Sequence, residues 1–241
     1  MELRVLTFNI QHCRNINTGK IDYDAISREI ASFSPDIVAL QEVRGKCFLP
    51  EFKDQAGIIA KKLGMNYVFG RSVRIAGVGP FGNAILTKYP IISQKVIKIP
   101  FKKWFFRIIQ RIRHRHTHIE PRSILDVCMD VRGERVNVYT THFGFTLDEQ
   151  KAAVKTVMKS VRGEKSIIMG DFNLPQTALT LKPLFDTFNA ATLGRTFPSQ
   201  NPGRQIDYIL TSRNIEISAA GVSERAVSDH RACFADVDSV K

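Results

Sequence analysis

Several polar side chains stand where the sequence otherwise reads as buried strand. They are Asn9 after "LTF", Glu42 after "IVALQ", Asp171 after "IIMG", Asp207 inside "IDYIL", and the Asp229-His230 pair ahead of "RACF". A carboxylate in or beside a buried strand is costly unless something neutralises it, so these positions call for one shared explanation. Oxygen donors such as Asn, Glu and Asp suit a hard divalent cation, Mg²⁺ with Mn²⁺ as a substitute, which keeps part of its water shell while it handles phosphate. His142 and His230 add proton transfer to that set.

Groups of this kind act together only if the chain brings strand ends to one crevice, as open α/β folds do. The pattern allows it. "LRVLTFNIQ" reads as an apolar strand. "DYDAISREIASF" follows as a helix behind an Asp cap, with Tyr23, Ile26, Ile30 and Phe33 at helical spacing, and "PDIVALQEV" is a second buried strand. "EFKDQAGIIAKKLG" is a helix that stops at Gly64. "NYVFGRSV", "GNAILTKYP" and "IISQKVIKIP" are strands broken by Gly and Pro, with Gly82 and Asn83 read as a structural turn entering a strand near the site. "RSILDVCMDV" and "RVNVYTTHF" form a hairpin about "RGE", and "LDEQKAAVKTVMKSVRG" is a helix with its stop signal. The strand "KSIIMGDFN", a short helix near "LKPLFDTF" and three further strands complete the chain. With no repeat or linker in view, residues 1–241 are expected to form a single α/β domain.

The segments "TFNIQ", "LQEV", "GNAILTK", "TTHF", "GDFN", "QIDYIL" and "SDH" occur in the order and approximate spacing of the endonuclease/exonuclease/phosphatase superfamily, the deoxyribonuclease I-like fold, which the chain resembles from residue 5 to 235. That resemblance implies a four-layer α/β sandwich, with two packed β-sheets flanked by helices, and Mg²⁺-dependent cleavage of phosphate esters. It also implies roles. Glu42 resembles the principal metal ligand, with Asn9 and Asp229 beside it. Asp171 and Asn173 resemble the pair that positions and deprotonates the attacking water. His230 looks like the imidazole that bears on the scissile phosphate, with Asp207 fixing its tautomer, and His142 like a donor to a phosphate oxygen. Whether Asp171 or His230 is the base stays open. Many nucleic-acid-cleaving relatives carry an acid two residues after the strand-end Asn, where this chain has Gln11. Arg122 of "EPRS" pairs either with a substrate phosphate or with Glu120 or Asp126.

The formal net charge of +12 points to an anionic partner, a nucleic acid or a phospholipid headgroup. Much of it is concentrated at about 98–118, where Lys98, Lys102, Lys103, Arg107, Arg111, Arg113 and Arg115 occur without an acid. On a helix, Phe101, Trp104, Phe105, Ile108, Ile109 and Ile112 make one apolar stripe. The segment therefore reads as a basic amphipathic insertion that packs on the core, touches a membrane surface through residues 101–113, or grips nucleic-acid phosphates through its cations. Cys13, Cys47, Cys128 and Cys233 are too scattered for a zinc or redox pair and read as reduced thiols. No leader or membrane-length apolar run is visible, so a cytoplasmic protein is expected, with peripheral attachment at the inner membrane surface as the variant; no protein partner is expected. The leading reading is a metal-dependent phosphodiesterase of endonuclease-like activity. The alternatives are a phospholipid or inositol-phosphate esterase at a membrane, and a catalytically weak adaptor on anionic surfaces.

Overall fold

A computed structural model describes residues 2–47, 53–75, 79–100 and 120–239. The chain opens with β1 (Glu2–Asn9), α1 (Tyr23–Ala31) and β2 (Ile37–Arg44), then α2 (Gln55–Leu63) and the strands β3 (Asn66–Ile75), β4 (Gly79–Thr87) and β5 (Ile91–Lys98). After the undescribed residues 101–119 come β6 (Ser123–Val131), β7 (Glu134–His142), α3 (Leu147–Ser160), β8 (Ser166–Asp171) and α4 (Lys182–Thr187). The short β9 (Asn189–Ala190), β10 (Asp207–Thr211), β11 (Ile215–Val222) and β12 (Cys233–Ser239) end it. The strands form two mixed six-stranded sheets, ordered β11-β12-β1-β2-β4-β3 and β5-β6-β7-β8-β10-β9.

Period-two alternation sorts the side chains into layers. Leu3 and Val5 of β1 meet Val136 and Val138 of β7 and Ile167 and Met169 of β8 between the sheets. The opposite faces carry Leu6, Phe8, Val38 and Leu40 against Ile26, Ile30 and Ile59 of α1 and α2. On the far side, Tyr139, Ile168, Tyr208 and Leu210 pack against Val154 and Val157 of α3 and Leu184 of α4. Helix, sheet, sheet, helix is the four-layer sandwich expected, and its fully buried aliphatic side chains are each worth roughly 1.5–3 kcal/mol. The helix starts are capped: Asp22 accepts from Ala25 N–H, Asp54 from Gly57 N–H, and Thr146 and Glu149 form a reciprocal capping box on α3.

Two local expectations are corrected. Gly82 and Asn83 lie inside β4 rather than in a turn, because a Cβ on Gly82 would sit 2.1 Å from the Gly70 carbonyl oxygen: the glycine permits close strand pairing. Helix α3 stops at Ser160, before the Arg-Gly pair, because Val161 is already extended there. The expected amphipathic helix of 101–113 lies outside the described residues. Its two anchors do not: Lys98 pairs with Ser123, and Ile99 N–H donates to Arg122 O at 3.0 Å. Among the described residues, no helix is long and apolar enough to cross a membrane. The four cysteines are free thiols.

Candidate active site

The inward-facing alternation that fills the core with Val5, Val138, Met169 and Ile209 turns polar at one end of the sandwich. In β1 and β7 the next inward positions are Thr7 and Asn9, and Thr140 and His142; in β8 the next is Asp171, which pairs across β10 with Asp207. Below the site, Gln41 Nε2 donates to Thr140 Oγ1 at 2.9 Å and to Thr7 Oγ1 at 3.1 Å, tying the two sheets together through buried polar groups. Nothing in the sequence reading singled out Gln41, although an amide inside "IVALQEV" is itself a polar break in an apolar run.

Glu42 would face the helices if β2 alternated regularly. Instead the β2–β4 register shifts between Leu40 and Val43, and Glu42 takes φ 57°, a left-handed backbone that a non-glycine residue adopts at a cost. The bulge swings its carboxylate to Asn9, whose Nδ2 donates to Glu42 Oε1 at 3.2 Å and to Asp171 Oδ2 at 3.1 Å. Gly170 permits the arrival of Asp171: a Cβ there would meet the Thr141 carbonyl oxygen at 2.0 Å.

Asp171, 1% exposed, is the focus. Its Oδ1 accepts from Asn173 N–H at 2.8 Å, while His142 Nε2 lies 3.4 Å and His230 Nε2 3.6 Å from its Oδ2. Burial first, then the neighbouring Asp207 charge, push its pKa above the usual carboxylate range against the pull of His230. His230 Nδ1 sits 2.9 Å from Asp207 Oδ2. Burial alone would depress this imidazole, but the charges of Asp207 and Asp171 and the Asp207 hydrogen bond outweigh it and raise the pKa.

His142 has the opposite partner. Arg122 Nη1 reaches its Nδ1 at 2.9 Å, and since a guanidinium only donates, Nδ1 is the acceptor. Burial, Arg122 and His230 all lower this pKa, so the ring is neutral and its one proton, on Nε2, points at Asp171. Arg122 is thus occupied by His142, with Glu120 Oε2 at 3.5 Å as its acidic neighbour and its Nε without a hydrogen bond. Asp126, the other acid near it in sequence, is on β6, where burial raises its pKa against the pull of Lys95.

The remaining predicted residues lie around this core. Asn173, φ 52°, turns its Nδ2 onto Phe143 O at 3.0 Å, which fixes the loop after β8. Asp229 accepts from Ser228 Oγ at 3.1 Å and makes no direct bond to the other site side chains, yet its charge is felt by Glu42. Burial raises the Glu42 pKa, the Asn9 amide opposes this, and Asp229 adds to it. Gln11 donates its N–H to Asn9 Oδ1 at 3.2 Å, and its Oε1 is buried without a partner. Asn83 is buried and donates to Ser123 O at 3.2 Å, behind Arg122.

Two sets of donors suit a cation. Asp171, Asp207 and His230 offer ligand atoms within 4.8 Å of one another. In that set His230 Nδ1 is already engaged by Asp207, while Glu42, with Asp229 near enough for its charge to be felt, is the second set. Burial, and to a lesser extent the charge of Asp229, raise the Glu42 pKa against the pull of the Asn9 amide, and a cation bound there would relieve that cost.

The sequence pattern of the Endonuclease/Exonuclease/phosphatase family matches residues 6–230. The chain belongs to that family. It is accordingly a hydrolase, of a family generally dependent on divalent metal. Solved structures agree on the fold. A family protein from Beutenbergia cavernae DSM 12333 has TM-score 0.78 and 22% identity over 99% of this chain and 72% of its own. The mannosyl-6-phosphatase Bt3783 of Bacteroides thetaiotaomicron VPI-5482 has TM-score 0.75 and 17% identity over 98% and 99%. D. rerio TDP2 in complex with a single-strand DNA product has TM-score 0.68 and 14% identity over 99% of both chains. No curated protein sequence matches the chain.

Proposed function

We propose that this hydrolase cleaves phosphodiester bonds in an anionic substrate of the nucleic-acid class, with a divalent cation, Mg²⁺ or Mn²⁺, held by Glu42 and Asp229. The observation that carries the reading is the convergence on Asp171: an acceptor carboxylate faced by two imidazoles whose proton states are set apart by their own partners. Asp171 is the only acceptor of the three, so it takes the proton of the attacking water. Its raised pKa makes it a stronger base than an ordinary aspartate. His142 and His230 each present an Nε2–H, and these donors suit the equatorial phosphate oxygens as charge develops. Asn9 holds Glu42 and Asp171 in their mutual register. A bound cation would supply charge neutralisation at the phosphoryl group and lower the pKa of water.

The diester preference is favoured by the overall charge of +12 and by the cationic insertion whose two ends, Ile99 and Arg122, are bonded to each other beside His142. The decisive test is hydrolysis of bis-p-nitrophenyl phosphate and of supercoiled plasmid with Mg²⁺, with EDTA, and with Asp171→Asn. Turnover should need the metal, and Asp171→Asn should lose about 3–6 kcal/mol of transition-state stabilisation with its unfolding midpoint retained. Near-normal turnover by Asp171→Asn removes it as the base. Release of phosphate from p-nitrophenyl phosphate without any action on either diester replaces the diesterase with a monoesterase.

A further inference from the structure

The loop between β9 and β10 is absorbed by none of the roles above, yet it is fastened to the catalytic histidine at several points. Phe197 and Arg204 exchange backbone hydrogen bonds in both directions, 3.0 and 2.9 Å, and so close the loop on itself. Ser199, 1% exposed, sits inside it. Its N–H donates to Asp229 O at 2.7 Å, its Oγ to Ser228 O, and its carbonyl accepts from Arg231 Nε at 2.8 Å. Arg231 N–H donates to Thr196 O at 3.0 Å. Four hydrogen bonds thus join the loop and the Asp229-His230 segment into one body.

On this body the Phe197 ring packs against the His230 imidazole with centroids 4.8 Å apart, and the Arg204 guanidinium lies over the same Phe197 ring, 5.3 Å from its centre. Together these distances keep the cation within about 10 Å of the His230 ring centre. Arg204 is exposed, and no carboxylate pairs with it among the described residues. A guanidinium held on an aromatic face keeps its edge N–H donors free, and those donors match a phosphate.

We propose that Arg204 binds the phosphate neighbouring the scissile one in a single-stranded nucleic acid, and so makes the enzyme prefer a chain of phosphodiesters to an isolated phosphate ester. The inference rests on the proposed role of His230 at the scissile phosphate. It goes further by assigning a second anion site, one nucleotide away, to a residue outside the metal and base groups. The fixed geometry matters: a cation on a long free side chain meets any nearby anion, whereas one stacked on Phe197 selects a partner at a set distance from His230.

The test is binding in the Asp171→Asn background with Mg²⁺ present, by fluorescence anisotropy and competition, using a labelled single-stranded octanucleotide, a 5′-phosphorylated dinucleotide and a mononucleotide. Arg204→Ala should weaken the octanucleotide and the dinucleotide about tenfold, lower the slope of log affinity against log salt by about 0.7, and move the mononucleotide far less. Arg204→Lys should recover most of the salt slope. Equal losses on all three ligands, or an octanucleotide bound no better than the mononucleotide by the Arg204-intact protein, overturn the assignment. Neither result touches the esterase reading, which is decided separately by metal-dependent hydrolysis of bis-p-nitrophenyl phosphate by the unsubstituted protein. If that hydrolysis fails while the octanucleotide still depends on Arg204, the anion site stands and the reaction assigned beside it falls.

Discussion

The two walls of the site are built alike and tuned in opposite directions. Each carries a histidine that is 4% exposed, with Nε2 within 3.6 Å of the same Asp171 oxygen. They differ at the other ring nitrogen. His142 Nδ1, on the β7 wall, faces the guanidinium of Arg122; His230 Nδ1, on the β10–β12 wall, faces the carboxylate of Asp207. Burial presses both rings toward neutrality. On the first wall the partner adds to that pressure, and on the second it reverses it. One wall thus delivers a neutral donor of fixed tautomer and the other a proton-bearing cation, although the two imidazoles are chemically the same group.

The sharpest way to break this contrast is Asp207→Asn. The amide keeps the shape but removes one of the charges that, with Asp171, overcome the burial of His230, so the His230 pKa should fall. The expected cost is about 10²- to 10⁴-fold in kcat, the usual worth of a positioned acid or base. An NMR titration of the His230 ring separates this from misfolding: an unmoved pKa with lost activity would mean that Asp207 acts by packing alone. Asp207 Oδ1 is buried without a hydrogen bond, so the variant should not lose stability to match.

Arg122→Met should act on the other wall and more weakly, roughly tenfold in kcat, about 1.4 kcal/mol. With the guanidinium gone, the His142 pKa rises and either ring nitrogen is free to carry the proton. The folded-state pKa of His142 is depressed, so its neutral form prevails until the pH drops well below the ordinary histidine range. Removing Arg122 shifts that transition upward, and an NMR pH titration of the His142 ring should show the higher pKa. Nitrogen shifts that still report a single Nε2–H tautomer in Arg122→Met would assign the tautomer to Asp171 instead of Arg122.

Much of this contrast was legible in the sequence in outline and little of it in detail. Polar residues interrupting buried strands announce themselves because the alternation around them is so apolar, which is why Asn9, Glu42, Asp171, Asp207 and His230 could be read as one group and their strands located. The first helix was equally readable because its Asp22 cap and a periodic apolar face coincide. What sequence periodicity does not carry is a partner twenty residues away on the next strand, so Arg122 read as a phosphate ligand or a surface pair while the fold joins it to His142. Nor does it reveal a bulge: a regular β2 would turn Glu42 to the helices, and only the register shift against β4 brings it to Asn9. Gly82 read as a turn for the same reason, since a close approach between strands uses the same residue type. Phe197 and Ser199 gave no local signal at all, because their role depends on the loop before β12.

The smallest expected effect comes from a pair that resembles the Asp207 wall in composition and lacks its burial. Arg4 binds Asp236 through Nε–Oδ1 at 2.6 Å and Nη2–Oδ2 at 2.7 Å, with its side chain 38% exposed and Asp236 16% exposed. The Arg4 hydrogen bond, set against a modest burial penalty, holds the Asp236 carboxyl below its usual range. After allowance for solvent screening, Arg4→Met should cost only about 0.5–1 kcal/mol at pH 7 and leave hydrolysis unchanged. The sign of its pH dependence follows from the depressed pKa: the pair contributes fully above the unfolded aspartate value, near 4, and its contribution disappears as the pH falls through the lower folded-state pKa. Urea unfolding of both proteins at pH 7 and below pH 3 should therefore show a gap that narrows in acid. If the gap persists there, the charge is not its source, and the packing of the Arg4 guanidinium over Phe234, 5.1 Å from the ring centre, is.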